Sequence, residues 1–216
     1  MVELTVMRHA EARKNLDDVH GGGDQNLTEA GRSQAAAAAS AWLPRLSNLA
    51  EGVLLHQPEG RCEQTAQIIS AVTSLVAVEV PEFVGVRLGV TAGLSDDEVE
   101  RRFPVVAKQL SDWISGRRVV PPVVPGSEGL TPFASRITDG LNRILKADGH
   151  RHVLLVCTTS TANMIGHLVS NGGALKSDEY RLSPLGLGKS QTWSLEVKRS
   201  GKWTVLSSTR SPSDAD

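Results

Sequence analysis

Short apolar runs alternate along the chain with longer segments in which apolar residues recur at helical spacing. Residues 4–7 form a short, mostly apolar run and residues 152–157 an uninterrupted one, which is typical of strands buried on both faces of a parallel sheet. Further strands are predicted at residues 52–58 and 76–81. Helices are predicted at residues 27–46, 59–75, 94–103, 105–116, 129–147 and 158–170.

The end of the chain follows a different pattern. Apolar and polar residues alternate at 191–208 around Ser200 and Gly201, which predicts a terminal β-hairpin. Together with the preceding alternation of strands and helices, this indicates an α/β fold. We expect a three-layer sandwich with a mostly parallel central sheet and helices on both faces. The 216 residues suffice for one substantial core, so residues 1–216 are predicted to form a single domain.

Charge and cysteine content narrow the class of partner. Lys and Arg total 23 against 24 Asp and Glu, so no overall field attracts nucleic acid or an anionic membrane. Cys62 and Cys157 lack the spacing of metal ligands, and no signal peptide pattern opens the chain. We therefore expect a cytoplasmic protein with no metal and no cofactor, whose partner is a small anionic molecule, phosphorylated or a carboxylate. A homodimer is left open.

The first strand ends on two residues that carry chemistry. Arg8 and His9 directly follow the apolar run, at the carboxyl end of a strand, where α/β sheets hold their ligands. Burying a cation and an imidazole without partners costs several kcal/mol, on the order of known polar transfer penalties. The pair therefore indicates a pocket that supplies those partners.

Five segments carry a family resemblance. "VMRHAEARKN" resembles the Arg-His-Gly signature of the histidine phosphatase superfamily, the phosphoglycerate mutase-like branch 1, with Ala10 at the glycine position. "LTEAGRSQA" resembles the stretch that follows it, and "QPEGRCEQTA" resembles the Ser-Pro-x-x-Arg-x-x-Gln-Thr-Ala segment. "GLSDDEV" and "HVLLVCTTSTANMIGHL" follow in family order, so the similarity covers essentially the whole chain.

The resemblance implies hydrolysis of phosphomonoesters through a phosphohistidine at His9. Arg8, Asn15 and Arg61 match the positions that hold the phosphate. The chemistry fits these residue types, because planar guanidinium groups can each hydrogen-bond two phosphate oxygens. A neutral imidazole can attack phosphorus if its other nitrogen donates to a fixed group, such as a backbone carbonyl.

Two positions depart from the family pattern. Thr158 stands where the resemblance implies a second histidine, and Gly85 stands where it implies the acidic residue, with Glu82 the nearest candidate acid. Thr158 and Thr159 open a helix, so their N–H groups and hydroxyls are expected to serve the anion. Thr158 can also act only as a helix N-cap, and Glu82 can be a solvated carboxylate.

Three functions remain open from the sequence. The first is a weak phosphatase acting through His9. The second is a family member diverted to other chemistry on an anionic small molecule, and the third is a non-catalytic binding or regulatory protein. His20 lies in a glycine-rich loop near the expected pocket mouth and either stays solvated or folds over a substrate.

Overall fold

A computed structural model describes residues 2–16, 19–22, 25–46, 52–146, 152–181, 192–200 and 202–210. Among these residues, strands in the order β3-β2-β4-β1-β5-β6 form one six-stranded sheet. The strands are β1 (Val2–Arg8), β2 (Gly52–His56), β3 (Ala77–Glu79), β4 (His152–Cys157), β5 (Thr192–Ser200) and β6 (Lys202–Arg210). The first four strands of that order are parallel, and β5 and β6 add an antiparallel pair beside β1.

The predicted helices are confirmed. They are α1 (Glu29–Leu46), α2 (Gly60–Thr73), α3 (Asp96–Arg102), α4 (Pro104–Ile114), α5 (Leu130–Lys146) and α6 (Thr159–Ser170). The α3 helix begins after Ser95, whose hydroxyl accepts the Glu98 N–H in a capping box. The predicted hairpin is confirmed at β5 and β6, although its turn at Gly201 lies outside the described residues.

The sheet has a buried core on each face, as the three-layer prediction requires. Along β1, Leu4 and Val6 pack with α5 and α6 on one face, whereas Met7 packs with α2 on the other. Likewise, Leu155 of β4 belongs to the first cluster and Leu154 to the second. This alternation follows from the two-residue period of a strand, and it explains why apolar residues occur at both odd and even positions of β1 and β4.

The register of the parallel strands brings three chain segments together. Arg8 lies opposite Cys157 in the β1–β4 pair. Beyond the strand ends, the His9 N–H donates to the Cys157 carbonyl at 3.1 Å, and the Gln57 N–H donates to the Val156 carbonyl at 3.2 Å. The residues that follow β1, β2 and β4 therefore leave the sheet at the same edge.

The start of α1 fastens the segment that follows β1. The Thr28 N–H donates to the Glu11 carbonyl at 3.0 Å. The Thr28 hydroxyl accepts the Gly31 N–H at 2.9 Å and donates to the Glu11 carboxylate at 2.8 Å. Thr28 thus satisfies a first-turn N–H of the helix and fixes the chain two residues beyond His9.

Candidate active site

A cavity of about 1340 Å³ opens at the carboxyl edge of β1, β2 and β4. Its volume exceeds what a phosphate group needs, so there is room for the organic part of a substrate. The cavity is lined by all of the predicted site residues except Glu82: Arg8, His9, Asn15, Arg61, Thr158 and Thr159.

His9 is held as a neutral imidazole. Its side chain is buried, Nδ1 lies 2.7 Å from the Ala10 carbonyl, and Nε2 accepts the Arg61 Nε–H at 3.0 Å. A carbonyl only accepts, so Nδ1 carries the proton and Nε2 carries the lone pair. Burial, with the nearby charges of Arg61, Arg8 and Lys14, holds the His9 pKa well below its usual range. The ring is therefore unprotonated at neutral pH.

Arg61 is fixed to the His9 segment through α2. Its carbonyl accepts the Thr65 hydroxyl at 2.7 Å, and the same hydroxyl oxygen accepts the Ala10 N–H at 3.1 Å. The guanidinium is buried, and its Nη1 donates to the Gln25 side chain. Arg8 lines the same wall, and burial together with Arg61 lowers its pKa from the ordinary value. Two guanidinium groups thus approach each other beside His9.

Lys14 is a third cation near His9, and the sequence did not indicate it. It belongs to a short 3-10 helix, Arg13–Asn15, that turns its side chain inward. Burial lowers the Lys14 pKa to about 8, with Arg61 and Arg8 acting in the same direction and Glu59 against it. The three positive charges repel one another, and a bound anion would relieve that repulsion. The cluster is therefore suited to bind an anion.

Thr158 lines the cavity as predicted, but its backbone N–H does not point to an anion. Its N–H donates to the Gln57 Oε1 at 2.8 Å, so this backbone group is not directed to an anion as expected. The Thr158 hydroxyl lies 3.2 Å from the Ser160 hydroxyl, and no side-chain hydrogen bond caps α6. Thr158, Thr159 and Ser160 all line the cavity, so the first turn of α6 borders it.

Comparisons with known proteins agree with this geometry. The model of the Histidine phosphatase superfamily (branch 1) matches residues 4–207. The chain belongs to this superfamily. A comparison with curated protein sequences gave no significant match.

Solved structures of histidine phosphatase type share the fold. A mycobacterial glucosyl-3-phosphoglycerate phosphatase in complex with VO3 has a TM-score of 0.76 at 20% identity, covering 95% of this chain and 97% of that one. The α-ribazole phosphatase of Shigella flexneri has a TM-score of 0.72 at 17% identity, with 94% of each chain covered. A phosphoserine phosphatase mutant of Entamoeba histolytica, in complex with phosphoserine, has a TM-score of 0.72 at 16% identity, with 96% of each covered.

Glu82, the acid suggested by the sequence, lies away from the histidine phosphatase pocket. It belongs to a 3-10 helix, Pro81–Phe83, and its carboxylate pairs with Arg143 of α5 at 3.0 and 2.7 Å. It does not line the cavity. The ion pair with Arg143 directs the carboxylate toward α5, so the structure offers no support for Glu82 as the acid.

Glu59, which the sequence did not indicate, is a carboxylate on the His9 side of the cavity, which Asp96 and Glu100 also line. It precedes α2, two residues before Arg61, and its Oε1 accepts the Gly85 N–H at 2.8 Å. It lines the cavity together with His9. The histidine phosphatase pocket therefore contains a carboxylate beside position 85, although residue 85 itself is glycine.

Asn15 and His20 occupy the places that the sequence suggested. Asn15 lines the cavity and its Oδ1 accepts the Ala12 N–H at 3.1 Å, which orients the amide. His20 also lines the cavity, and its Nε2 is hydrogen-bonded to Asp96 at the start of α3. His20 is thus tied to the opposite wall and is not simply solvated.

The described part of the chain has no helix that combines the length and apolar character needed to cross a bilayer. Within the same residues, no group of three or more His, Cys, Asp or Glu side chains is arranged as metal ligands would be.

The low pKa of Lys14 predicts how anion binding depends on pH. We expect sulfate to bind more tightly when the Lys14 amine is protonated. Sulfate affinity should therefore be highest below the Lys14 pKa of the anion-free protein, about 8, and decrease as the pH rises above it. Calorimetric titration with sulfate between about pH 7 and pH 9.5 is expected to show a decrease of roughly tenfold. The Lys14→Met variant should bind more weakly at pH 7 and lose this dependence. A wild-type affinity that stays level through this range would place Lys14 outside the anion site.

Proposed function

We propose that this member of the superfamily hydrolyses phosphomonoesters of small molecules through a phosphohistidine at His9. The observation that carries the proposal is the state of the ring: Nδ1 is held by the Ala10 carbonyl, and the Nε2 lone pair faces Arg61. A neutral nucleophile of fixed tautomer beside two guanidinium groups is what attack on a bound phosphoryl group requires.

In the first step, a substrate phosphate enters between Arg8, Arg61 and Lys14. Its oxygens take over the Arg61 Nε–H, which frees His9 Nε2 to attack phosphorus while the bond to the leaving oxygen breaks. In the second step, water attacks the phosphohistidine and releases inorganic phosphate. Dividing the reaction in this way replaces one difficult displacement with two easier ones.

The substrate class is a phosphorylated small molecule. The three cations around His9 favour a dianionic group, and the named phosphatases that share the fold act on phosphorylated molecules. Half-buried Val86, Leu88 and Ala107 line the outer part of the cavity and offer apolar surface to the organic part of a substrate. We expect slow turnover, because the Thr158 hydroxyl is uncharged at a place where the resemblance implies a second histidine.

The intermediate itself tests this function. When the protein is mixed with p-nitrophenyl phosphate and quenched in alkali, mass spectrometry is expected to find one added phosphoryl group on the peptide that contains His9. Alkali preserves a phosphoramidate and acid releases it, so an acid-quenched sample should lose the addition. The matched variants are His9→Ala, which should form no adduct, and His152→Ala, at the other end of β4, which should form it normally.

The contrary outcome favours one of the other functions. If the wild type binds sulfate but forms no adduct and releases no p-nitrophenol beyond His9→Ala, the hydrolase proposal is wrong. The site would then bind an anionic molecule without transferring its phosphoryl group.

A further inference from the structure

We propose that Glu59 is the acid/base residue of this site, and this inference rests on the phosphatase function proposed above. The resemblance implies an acidic residue at position 85, which is glycine here. The structure holds a carboxylate at that place but brings it from the start of α2.

The first support is the direction of the Glu59 side chain. Glu59 occupies the residue before α2, yet its carboxylate makes no capping hydrogen bond to the helix. Instead, the side chain extends into the cavity, and Oε1 accepts the Gly85 N–H at 2.8 Å. A carboxylate that leaves the helix N-terminus forgoes a favourable interaction with the helix dipole. Its position is therefore set by the cavity and by Gly85.

The second support is the fit between Glu59 and Gly85. A Cβ added at Gly85 would lie 3.0 Å from the Glu59 Oε1, 3.2 Å from the Thr158 Oγ1 and 3.4 Å from the Ser160 Oγ. Any larger side chain at position 85 would compete with the Glu59 carboxylate for this space. The glycine and the glutamate are thus two parts of one arrangement, in which the carboxylate comes from position 59.

The third support is the unequal state of the two carboxylate oxygens. Oε1 is occupied by Gly85, whereas Oε2 is buried and accepts no hydrogen bond from any described residue. A buried polar atom without a partner is uncommon and costs free energy, and because Glu59 lines the cavity, a bound substrate or water can supply that partner. Oε2 is the atom we assign to proton transfer.

The chemistry balances with one carboxyl group. In the first step, His9 Nε2 forms a bond to phosphorus, the bond from phosphorus to the leaving oxygen breaks, and Glu59 Oε2–H gives its proton to that oxygen. In the second step, the Glu59 carboxylate takes a proton from water as the water oxygen attacks phosphorus and the bond to Nε2 breaks. Inorganic phosphate leaves, and both His9 and Glu59 return to their starting states.

The test is the dependence of kcat/KM on the leaving group, measured with aryl and alkyl phosphates. Because kcat/KM covers only the steps through phosphorylation of His9, it isolates protonation of the leaving oxygen. Glu59→Gln keeps an acceptor for the Gly85 N–H and removes the proton. We expect kcat/KM to change by less than about threefold for p-nitrophenyl phosphate and to fall by about 100-fold for alkyl phosphates.

Two matched variants serve as controls. Glu63→Gln changes an exposed carboxylate in the first turn of α2, and Glu82→Gln changes the carboxylate held by Arg143. Both should keep the wild-type dependence on the leaving group. With p-nitrophenyl phosphate, Glu59→Gln should also release a burst of p-nitrophenol and then accumulate the His9 adduct, because hydrolysis of the adduct has lost its base.

The possible outcomes distinguish a failure of the Glu59 proposal from a failure of the phosphatase function itself. If the His9 adduct forms but Glu59→Gln lowers kcat/KM equally for all esters, or not at all, Glu59 only supports the loop and the present proposal is overturned. If kcat/KM of the wild type already depends steeply on the pKa of the leaving group, the Glu59 proposal is wrong as well. This outcome does not require that any variant fold. If no adduct forms with any ester, both proposals are wrong.

Discussion

Replacing Arg61 by alanine is expected to lower kcat/KM for p-nitrophenyl phosphate by about 1,000-fold. The guanidinium is buried, donates to His9 and Gln25, and sits on a residue whose carbonyl accepts the Thr65 hydroxyl. Two charge-assisted hydrogen bonds to phosphate are worth about 1.5 to 3 kcal/mol each, which corresponds to two to four decades in rate. Sulfate affinity, measured by calorimetry, should decrease in the same variant.

Two further variants test whether the lower kcat/KM of Arg61→Ala comes from the missing guanidinium itself. Arg32→Ala removes an exposed guanidinium from α1 and should leave both kcat/KM and sulfate affinity unchanged. Arg61→Lys keeps the positive charge but not the planar fork, so it should recover sulfate binding more than catalysis. Equal sulfate affinity in wild type and Arg61→Ala would show that the anion binds elsewhere, and the arrangement proposed for the phosphate would be wrong.

The strands and helices could be predicted from the sequence because their signals are local. The apolar runs of β1 and β4 and the helical spacing of α5 and α6 lie within a few residues of each position. The three-layer fold followed from their order. Short 3-10 helices, such as Gly89–Thr91, carry no such period and were not predicted.

The candidate site was only partly predictable, for a physical reason. His9 and Arg61 are recognisable from motifs, and their strand and helix place them directly. The direction of a side chain in a loop depends instead on partners distant in sequence. Glu82 is turned away by Arg143, 61 residues later, whereas Glu59 is turned inward by Gly85, 26 residues later. Neither partner can be recognised from the local sequence.

Lys14 illustrates the same limit. In the sequence it is one of several charged residues after His9, and nothing in the local pattern distinguishes it from Arg13. The 3-10 helix that contains both directs Lys14 into the cavity, where it is buried beside Arg61. A loop helix of one turn therefore completes the group of cations that we propose for phosphate binding.

The loop after β1, which carries Lys14, passes very close to the backbone of the first turn of α1. At Gly31, on the first turn of α1, an added Cβ would lie only 2.0 Å from the Glu11 carbonyl oxygen and 2.9 Å from its carbon. Glycine is required here for lack of space, since the contact is with main chain that has no rotamer to change. The same carbonyl accepts the Thr28 N–H, so any displacement of Glu11 also strains the start of the helix.

Gly31→Ala is therefore expected to destabilise the protein by about 3 kcal/mol, the upper part of the range for overpacked interiors. Helix propensity alone predicts the opposite sign, a gain of about 1 kcal/mol for alanine over glycine inside a helix. Urea unfolding should show a lower midpoint with an unchanged slope. The control is Gly129→Ala, where the nearest atom to a new Cβ is the Pro132 Cδ at 3.6 Å, an ordinary contact, so its midpoint should stay near that of the wild type. A stabilised Gly31→Ala variant would mean that the start of α1 does not press against Glu11 in solution.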